Sequence, residues 1–363
     1  MKRLHAVQQA VGGHRQVGAL LISEPANIAY LTGFPGADSA LLVTETRAYF
    51  MTDKRYADDA AAFFRRKSGV QVLVTTHREN RFDLCKKKLR RHRIRRLGFE
   101  KTSLSYYTYE KLAAAVGRRC LVGCTHFVER FRMYKDPGEI ALIEQAIAVN
   151  EKVLRAVKQW IPQVRDERML AQRALDRMQR LGASGPSFDP IVAAGTKSAI
   201  PHARTGTDPI RKQAAVLVDM GACYEEYCSD LTRTFFWGRM TGFFKKVYDN
   251  VLEAQEIAFS LLGPGTAAKT VDAAVRRYFK KQGCLQHFTH ALGHGVGRVV
   301  HELPSLSAVS TEVLMPGMVL TIEPGLYYPG EGGVRIEDMV LITENGYRRL
   351  SRYSRERDDM RIL

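Results

Sequence analysis

No stretch of the 363-residue sequence approaches the roughly 18 to 20 consecutive apolar residues that a membrane-spanning helix needs. The first 24 residues begin with basic side chains, but polar residues and glycines at positions 8, 9 and 12 to 15 interrupt every apolar segment. We therefore expect neither a membrane span nor a secretory signal peptide.

Cysteine is scarce as well, with six residues at positions 85, 120, 124, 223, 228 and 284. Six are too few for a disulfide framework in a chain of this length. Cys120 and Cys124 lie four positions apart, but no second pair of cysteines or histidines completes a zinc site nearby. We predict reduced thiols in a cytoplasmic protein. Cys223 and Cys228 flank a predicted turn and could bridge, although the reduced state is favoured.

Acidic side chains are outnumbered by basic ones, 38 to 55, which gives a formal net charge of +17. The densest basic run is KKKLRRHRIRR at 86–96, with eight Lys or Arg in eleven positions. Such a run is either a patch for nucleic acid or another anionic surface, or a solvated helix face. No interleaved aromatic residues, RNP-like motif or metal finger accompany it. We favour the solvated face and expect no nucleic-acid partner.

The order of predicted elements indicates two domains. Hydrophobic residues make up 45% of the chain, enough for ample cores. Short strands are predicted at 17–23, 39–45 and 70–76, and helices at 54–67 and 103–116. This alternation predicts a small α/β domain over residues 1–132, followed by a break at MYKDPGEI.

A second domain is predicted over residues 133–363. Asp136 is a candidate N-cap, with Pro137 in the first helical position and Glu139 near the positive end of the dipole. That helix should run to about Val157, and a second one should stop at Gly182. Strand pairs and two further helices follow, the predicted segments being 216–236, 241–262, 269–282 and 318–343. Helix, helix, hairpin thus occurs twice, which predicts a duplicated α+β unit.

Two predicted hairpins carry carboxylates inside apolar arms. In VLVDMGACYEEYCSDLTRTFF, residues 216–236, Asp219 and Asp230 are symmetric about the point between Tyr224 and Glu225, so we predict that they face each other. Glu323 and Glu337 are likewise symmetric about a glycine-rich turn at 330. Isolated buried carboxylates are costly, so these groups need a compensating partner.

Histidines concentrate in HALGHGVGRVVHELP, residues 290–304, where three glycines permit close backbone approach. His290, His294 and His301 lie in this segment, and His202 lies in the turn-rich IPHARTG. Four carboxylates and a histidine form a ligand set for two divalent cations, a recurrent hydrolytic site. The alternative is that the acidic groups merely point into water. Two symmetric hairpins favour the metal site.

These segments resemble the signature blocks of the pita-bread metallopeptidases, in the branch of Xaa-Pro aminopeptidases and prolidases. The resemblance rests on VDMGACYEEYCSDLTRTF, HALGHGVGRVVHE, TIEPGLYY and GGVRIEDMVLIT, and on NIAYLTGF and KDPGEI nearer the N-terminus. It implies an α+β fold, with a C-terminal pita-bread catalytic domain and a smaller N-terminal α/β creatinase-type domain.

The resemblance also implies roles for individual residues. The metal ligands would be Asp219, Asp230, His294, Glu323 and Glu337, holding two divalent ions with Mn²⁺ favoured over Co²⁺ or Zn²⁺. A metal-bridging hydroxide would cleave the Xaa-Pro bond, with Glu323 as general base. His301 would stabilise the oxyanion and His202 would assist the leaving nitrogen. The substrate site would comprise His202, His290, His301, Tyr327 and Arg335.

The expected substrate is a peptide with proline at its second position, and relatives of this kind are usually homodimers. The residues do not separate an Xaa-Pro aminopeptidase from an Xaa-Pro dipeptidase, and we favour the aminopeptidase. A methionine aminopeptidase shares the ligands but generally lacks the N-terminal domain, and a creatinase-like amidinohydrolase lacks the ligand set. A non-catalytic homologue that binds nucleic acid or protein would be expected to have lost ligands, and none is lost here.

Overall fold

The computed structural model describes residues 2–65 and 69–363 of the chain. The chain divides into two compact units, one ending at Arg132 and the other beginning at Met133. Each unit has hydrophobic clusters of its own. Among the helices of the described ranges, none combines the length and apolarity that crossing a membrane requires.

The first unit alternates strands and helices around one sheet, as the sequence predicts. The predicted helix at 103–116 begins later, at Tyr106, because the Ser105 hydroxyl caps it by accepting from the Thr108 N–H. The predicted helix at 54–67 begins later, at Ala57, and its residues 66 and 67 lie outside the described residues. The elements are α1 Lys2–Gly12, β1 Ala19–Ile22, α2 Pro25–Thr32, β2 Ala40–Thr44, β3 Ala48–Thr52, α3 Ala57–Arg65, β4 Val70–Val74, α4 Arg81–Arg91, β5 Leu97–Glu100, α5 Tyr106–Val116, β6 Leu121–Cys124 and α6 Glu129–Arg132.

The six strands of this unit form one mixed sheet in the order β4-β3-β2-β1-β5-β6. Its central strands are buried along their whole length, because helices cover both faces. Alternate residues of β1 therefore enter two different cores: Leu20 and Ile22 pack with α1 and α2, whereas Ala19 and Leu21 pack with α4 and α5. Helix α4 turns Leu84, Cys85 and Leu89 inward, and the basic run begins on this helix at residue 86 and continues beyond its end to residue 96.

The second unit contains four long helices and four small sheets. Its helical elements are α7 Pro137–Trp160, α8 Glu167–Arg180, α9 Gly242–Ser260 and α10 Ala268–Lys281. Its strands are β7 Gly185–Pro186, β8 Ile191–Ala194, β9 Ala214–Met220, β10 Ala222–Tyr224, β11 Tyr227–Cys228, β12 Leu231–Trp237, β13 Gly293–Gly295, β14 Glu302–Leu306, β15 Val319–Ile322, β16 Gly325–Tyr328, β17 Gly332–Arg335, β18 Asp338–Thr343, β19 Gly346–Arg349 and β20 Arg361–Ile362. The mixture of helices and sheets confirms the α+β prediction.

The helices of the second unit follow their predicted signals closely. Asp136 and Glu139 form a reciprocal capping box at the start of α7, each side chain accepting from the other's backbone N–H at 2.9 Å. Helix α7 ends three residues beyond the predicted Val157. The order helix, helix, hairpin is found twice, as α7, α8 and the β9–β12 hairpin, then as α9, α10 and the β15–β18 pair.

The register of the first hairpin differs from the prediction. Asp219 pairs with Thr232, and Cys223 pairs with Cys228, so the turn centre lies between Glu225 and Glu226. Both turn residues have positive φ, 44° and 65°, which is the backbone of a type I′ turn. Such two-residue turns match the right-handed strand twist, which fixes this register. The prediction that Asp219 and Asp230 lie directly opposite each other is therefore wrong.

The second hairpin has the predicted register. Ile322 pairs with Asp338 on one side of the carboxylates, and Gly325 pairs with Arg335 on the other. Glu323 and Glu337 therefore fall opposite each other in a short gap between two ladders that share one register. This gap lets both side chains leave the sheet toward the same side.

Candidate metal centre

One cavity of about 390 Å³ in the second unit collects the carboxylates and histidines singled out by the sequence. Its walls come from β9, Asp230 just before β12, the 290–301 segment and both arms of the second hairpin. An apolar side of Phe188, Ile191 and Val300 faces the polar one. The predicted residues that line it are Asp219, Asp230, His294, Glu323, Glu337, His202, His290, His301 and Arg335. Tyr327, also predicted for the substrate site, is buried and is not among the lining residues.

Three of these side chains converge closely. One ligand atom each from Asp230, His294 and Glu337 lie within 4.8 Å of one another. The Nε2 atom of His294 is 3.5 Å from Oδ2 of Asp230 and 3.4 Å from Oε1 of Glu323. Asp219 joins the group diagonally, because Asp230 lies two residues before its cross-strand partner Thr232 and on the same face. Carboxylates and a histidine that lie this close together are better suited to binding a cation between them than to forming ion pairs with one another.

Two carboxylate oxygens are buried without a hydrogen bond. Within the described parts of the chain, neither Oδ1 of Asp219 nor Oδ1 of Asp230 has a partner. A buried charged oxygen in that condition is costly unless a cation supplies the missing interaction. Both orphaned atoms belong to side chains that line the cavity. The donor set, hard oxygens with one imidazole, therefore fits divalent metal ions.

The protonation of the carboxylates points the same way. Burial, followed by the negative charge of Asp219, raises the pKa of Glu337 to about 8. Burial and the neighbouring Glu337 also raise the pKa values of Asp230 and Glu323 well above their usual range. Without a cation, these carboxylates cannot all ionise. A divalent ion would reverse the repulsion and favour the ionised forms.

His294 presents a free nitrogen lone pair to the carboxylates. Its Nδ1–H donates to the Gly295 carbonyl at 3.1 Å, so Nε2 carries no proton in the neutral ring. Burial and then His301 lower the pKa of His294 to about 4, which keeps the ring neutral at pH 7. A neutral imidazole oriented by its other nitrogen is the form that binds metals.

Two glycines let the His294 backbone lie between its neighbours. A Cβ at Gly293 would lie 2.0 Å from the Thr321 carbonyl oxygen, and one at Gly295 would lie 2.2 Å from the Leu303 carbonyl oxygen. No side chain fits at such distances. His294 itself donates its N–H to the Thr321 hydroxyl at 3.1 Å. The glycines predicted to permit close approach do so on both sides of His294.

A chain of hydrogen bonds borders the carboxylates. Arg335 contacts Asp219 Oδ2 at 2.6 Å and donates to the Tyr327 hydroxyl at 2.7 Å. The hydroxyl in turn donates to His290 Nε2 at 2.8 Å, since His290 Nδ1–H is used by the Ala291 carbonyl. Burial and then Arg335 lower the pKa of His290 to about 4. His290 is thus held as a neutral acceptor.

His301 and His202 occupy the open side of the cavity. The His301 ring meets the His294 ring edge-on, with 4.3 Å between their centroids, while its side chain remains exposed to solvent. Partial desolvation and the nearby His202 lower the pKa of His301. Both histidines can therefore face a ligand that enters from solvent.

Two threonines at the site were missed by the sequence analysis. The Thr232 hydroxyl donates to Glu337 Oε2 at 2.7 Å and accepts from Arg335 Nε at 3.1 Å. The Thr321 hydroxyl donates to Glu323 Oε1 at 3.4 Å. Each threonine lies two residues from a carboxylate next to the end of its strand, Thr232 from Asp230 and Thr321 from Glu323. The two-residue period of a strand would have indicated both.

A buried arginine behind the site was missed too. Arg233 is fully buried, and its guanidinium donates to Asp338 Oδ1 at 2.8 Å and to the carbonyls of Tyr353 and Ser354. It also donates to the Glu337 carbonyl. This network fixes the backbone that carries Glu337. Sequence periodicity alone gives no sign that an arginine in an apolar strand finds such partners.

Comparison with known families matches both units. Residues 141–344 match the metallopeptidase family M24, and residues 3–134 match the creatinase/prolidase N-terminal domain. The chain belongs to metallopeptidase family M24. It has the two-domain form of the pita-bread Xaa-Pro peptidase branch, which confirms the predicted family and fold, and as a member of this branch it is a metallo-exopeptidase.

Several characterised proteins resemble the whole M24 chain. It is 35% identical to an Xaa-Pro dipeptidase from Pyrococcus horikoshii over 342 residues, 94% of each chain. The structure of an Xaa-Pro dipeptidase from Bacillus anthracis matches with a TM-score of 0.88 and 31% identity, over 98% of this chain and 97% of that one. An X-Pro aminopeptidase from Thermotoga maritima matches with a TM-score of 0.84 and 32% identity, over 97% and 99%.

Proposed function

We propose that this M24 peptidase hydrolyses the Xaa-Pro bond at the N-terminus of peptides, using two divalent cations held by Asp219, Asp230, His294, Glu323 and Glu337. The observation that carries the proposal is the convergence of these five side chains on one cavity, where two buried aspartate oxygens lack partners. When bound, the cations would lower the pKa of a water molecule and polarise the scissile carbonyl. We propose Mn²⁺ as the native metal because oxygen ligands dominate.

Glu323, His301 and His202 each take a different part in proton transfer and charge stabilisation. Glu323, whose pKa is raised by burial and by Glu337, accepts the proton of the attacking water and passes it on. The neutral His301 donates its N–H to the carbonyl oxygen as negative charge develops there. His202 assists the leaving nitrogen. That step matters for proline, whose amide nitrogen carries no hydrogen and must gain a proton to leave.

The remaining residues hold the substrate. His290 and Arg335 border the cavity, and the buried Tyr327 hydroxyl, hydrogen-bonded to both, holds them in place. Arg335 also holds Asp219, so it orients a ligand while bordering the substrate. The apolar side with Phe188 and Ile191 supports a compact apolar ring such as that of proline. Two of the three relatives named above are dipeptidases, so Xaa-Pro dipeptides are the first substrates to test.

The test is hydrolysis before and after metal replacement. Protein treated with a chelator should be inactive, and added Mn²⁺ should restore release of proline from Xaa-Pro dipeptides or of a proline-led peptide from Xaa-Pro-Xaa-Xaa. The ratio of the two rates separates dipeptidase from aminopeptidase. Absence of turnover on every Xaa-Pro substrate, together with tight DNA or RNA binding at physiological salt, would overturn the proposal in favour of a binding protein.

Asp230→Ala provides the matched variant. It should abolish turnover and reduce bound metal, measured by elemental analysis, while circular dichroism stays unchanged because a buried repulsive charge has been removed. Full turnover in Asp230→Ala would contradict the assignment of Asp230 as a metal ligand.

We further propose a homodimer in the cytoplasm. The dimer is carried over from the resemblance to other Xaa-Pro peptidases, and light scattering of the purified protein tests it. The six free cysteines support a reducing compartment.

A further inference from the structure

Two cysteines face each other on the hairpin that carries Asp219 and Asp230. Cys223 of β10 pairs with Cys228 of β11, and their sulfur atoms are 3.1 Å apart. Both thiols are unbridged in the structure. The next pair along the ladder, Ala222 and Ser229, is hydrogen-bonded through the Ser229 N–H. Because such pairs alternate, Cys223 and Cys228 form a non-hydrogen-bonded pair.

That position suits a covalent bridge. In a non-hydrogen-bonded pair the Cα atoms are about 4.5 Å apart and the side chains point at each other. This separation is within the range that a disulfide spans without backbone movement. The Cys228 N–H is instead held by the Gly297 carbonyl, and the Glu225–Glu226 turn fixes the other end of the ladder. The backbone is thus already arranged for the bond.

The two thiols also differ in access. Cys228 is buried, whereas Cys223 is half-buried and can meet a small reagent. A hydrogen bond from the Cys228 thiol lowers the pKa of Cys223 to about 7, which favours its thiolate. Cys223 therefore suits the role of the attacking thiol, and Cys228 lies in contact to complete the reaction.

We propose that Cys223 and Cys228 are a redox modification site that forms a reversible intrachain disulfide with small-molecule disulfides. The Cys223 thiolate attacks one sulfur of the reagent, whose disulfide bond breaks and releases one thiol. Cys228, already in contact with it, then attacks the Cys223 sulfur as the Cys228 thiol gives up its proton, and the second thiol is released. The reagent gains two electrons, and the two cysteine protons end on the two released thiols.

Oxidised glutathione is the probe for this test. Full-length protein is incubated with it, quenched with acid, denatured, alkylated with iodoacetamide and cleaved with trypsin. Both cysteines fall in the single tryptic peptide 213–233. We expect this peptide to carry no alkyl group and to be lighter than its dithiol form by two hydrogen atoms. Cys85, Cys120, Cys124 and Cys284 should still be alkylated. Dithiothreitol should restore the dithiol.

Three variants control the result. In Cys223→Ser, Cys228 should stay alkylatable, because its attacking partner is gone. In Cys228→Ser, Cys223 should stop at the mixed disulfide with glutathione. Cys120→Ser removes a half-buried cysteine of the other unit and should leave the oxidation of 213–233 unchanged.

Circular dichroism of each variant shows whether it folds. If either Cys223→Ser or Cys228→Ser fails to fold, the other variant alone is a sufficient control. A wild-type peptide that keeps two alkylatable thiols, or that retains glutathione on Cys223, would overturn the proposal.

Discussion

The hydroxyl of Thr232 connects the carboxylate of Glu337 to the guanidinium of Arg335, which in turn contacts the carboxylate of Asp219. The hydroxyl donates to Glu337 and accepts from Arg335. This one neutral hydroxyl therefore orients two proposed ligands, Glu337 directly and Asp219 through Arg335. Groups of this kind commonly influence metal affinity as strongly as some ligands do.

Thr232→Val should weaken binding of the divalent cation by roughly 10- to 100-fold, because Glu337 and Arg335 both lose a hydrogen bond while the shape is kept. Titration calorimetry with Mn²⁺ measures the change. Thr234→Val is the matched control, since this buried threonine on the same face bonds only to the backbone of Arg335. Equal losses in the two variants would show that Thr232 acts through stability alone.

The buried carboxylates should make the metal-free protein less stable at alkaline pH. The pKa of Glu337 is about 8 in the folded state, above its usual 4.5, so the folded protein holds a proton that the unfolded chain has lost. Its contribution is complete below about pH 4.5 and disappears as pH rises through 8. Between pH 7 and 8.5 we expect the free energy of unfolding to fall by on the order of 1 kcal/mol.

Urea unfolding of chelator-treated Cys223→Ser protein at these two pH values tests this expectation, because the lowered pKa of the Cys223 thiol, about 7, would otherwise add stability over the same range. His290 and His294 do not affect this comparison. Because their pKa values are lowered to about 4, their contribution to the free energy of unfolding is constant above pH 6.5 and is lost only as the pH falls through 4. Glu337→Gln should reduce the slope. A stability that rises from pH 7 to 8.5 in metal-free Cys223→Ser protein would contradict the protonation described above.

At the scale of elements, the first hairpin depends on its turn. The two glutamates between β10 and β11 both adopt positive φ, a region that glutamate rarely occupies. Their turn fixes the pairing of Cys223 with Cys228 and hence that of Asp219 with Thr232. A turn shifted by one residue would place alternate side chains on the wrong face.

Glu225→Asn should stabilise the protein by up to about 1 kcal/mol, because asparagine tolerates positive φ and favours type I′ turns. Chemical denaturation measures the gain. Glu226→Asn is the comparison, since Glu226 forms an ion pair with Arg298 that the substitution would remove. A gain at position 226 as large as that at 225 would mean that turn strain outweighs the ion pair.

The two hairpins also show how far sequence symmetry can predict register. Symmetry about Gly330 placed Glu323 opposite Glu337, because the glycines of that loop mark its centre. Symmetry about the point between Tyr224 and Glu225 failed, because that centre follows from the two aspartates and not from the turn chemistry. The midpoint of CYEEYC itself, between Glu225 and Glu226, is the observed turn centre. Asp230 lies in the gap between β11 and β12, and a gap of this kind leaves no mark in the alternation of residues.

At the scale of the whole molecule, chemistry is confined to one unit. Every residue that lines the cavity lies between positions 188 and 337, and the cores of the two units share no residue. The periodicity of apolar residues indicated helices and strands in both units. The predicted helices begin and end within a few residues of the predicted bounds. The contacts of Arg233 with residues 353 and 354 depend on tertiary packing that periodicity does not encode.

Residues 133–363 expressed alone should therefore fold and bind Mn²⁺ with an affinity within a few-fold of the full chain. Their hydrophobic cluster is continuous and separate, as expected for a domain of this size. Circular dichroism and calorimetry on the fragment provide the measurement. A folded fragment that fails to bind the ion would show that the first unit is needed for the metal site.

The glycines on either side of His294 have a practical consequence for protein engineering. Since neighbouring carbonyls lie where any Cβ would be, positions 293 and 295 admit no diversity in a library designed to change substrate preference. The apolar side chains at 188, 191 and 300 border the same cavity without contributing a proposed ligand. Randomising those three positions would vary the shape of the pocket while leaving the ligand set untouched.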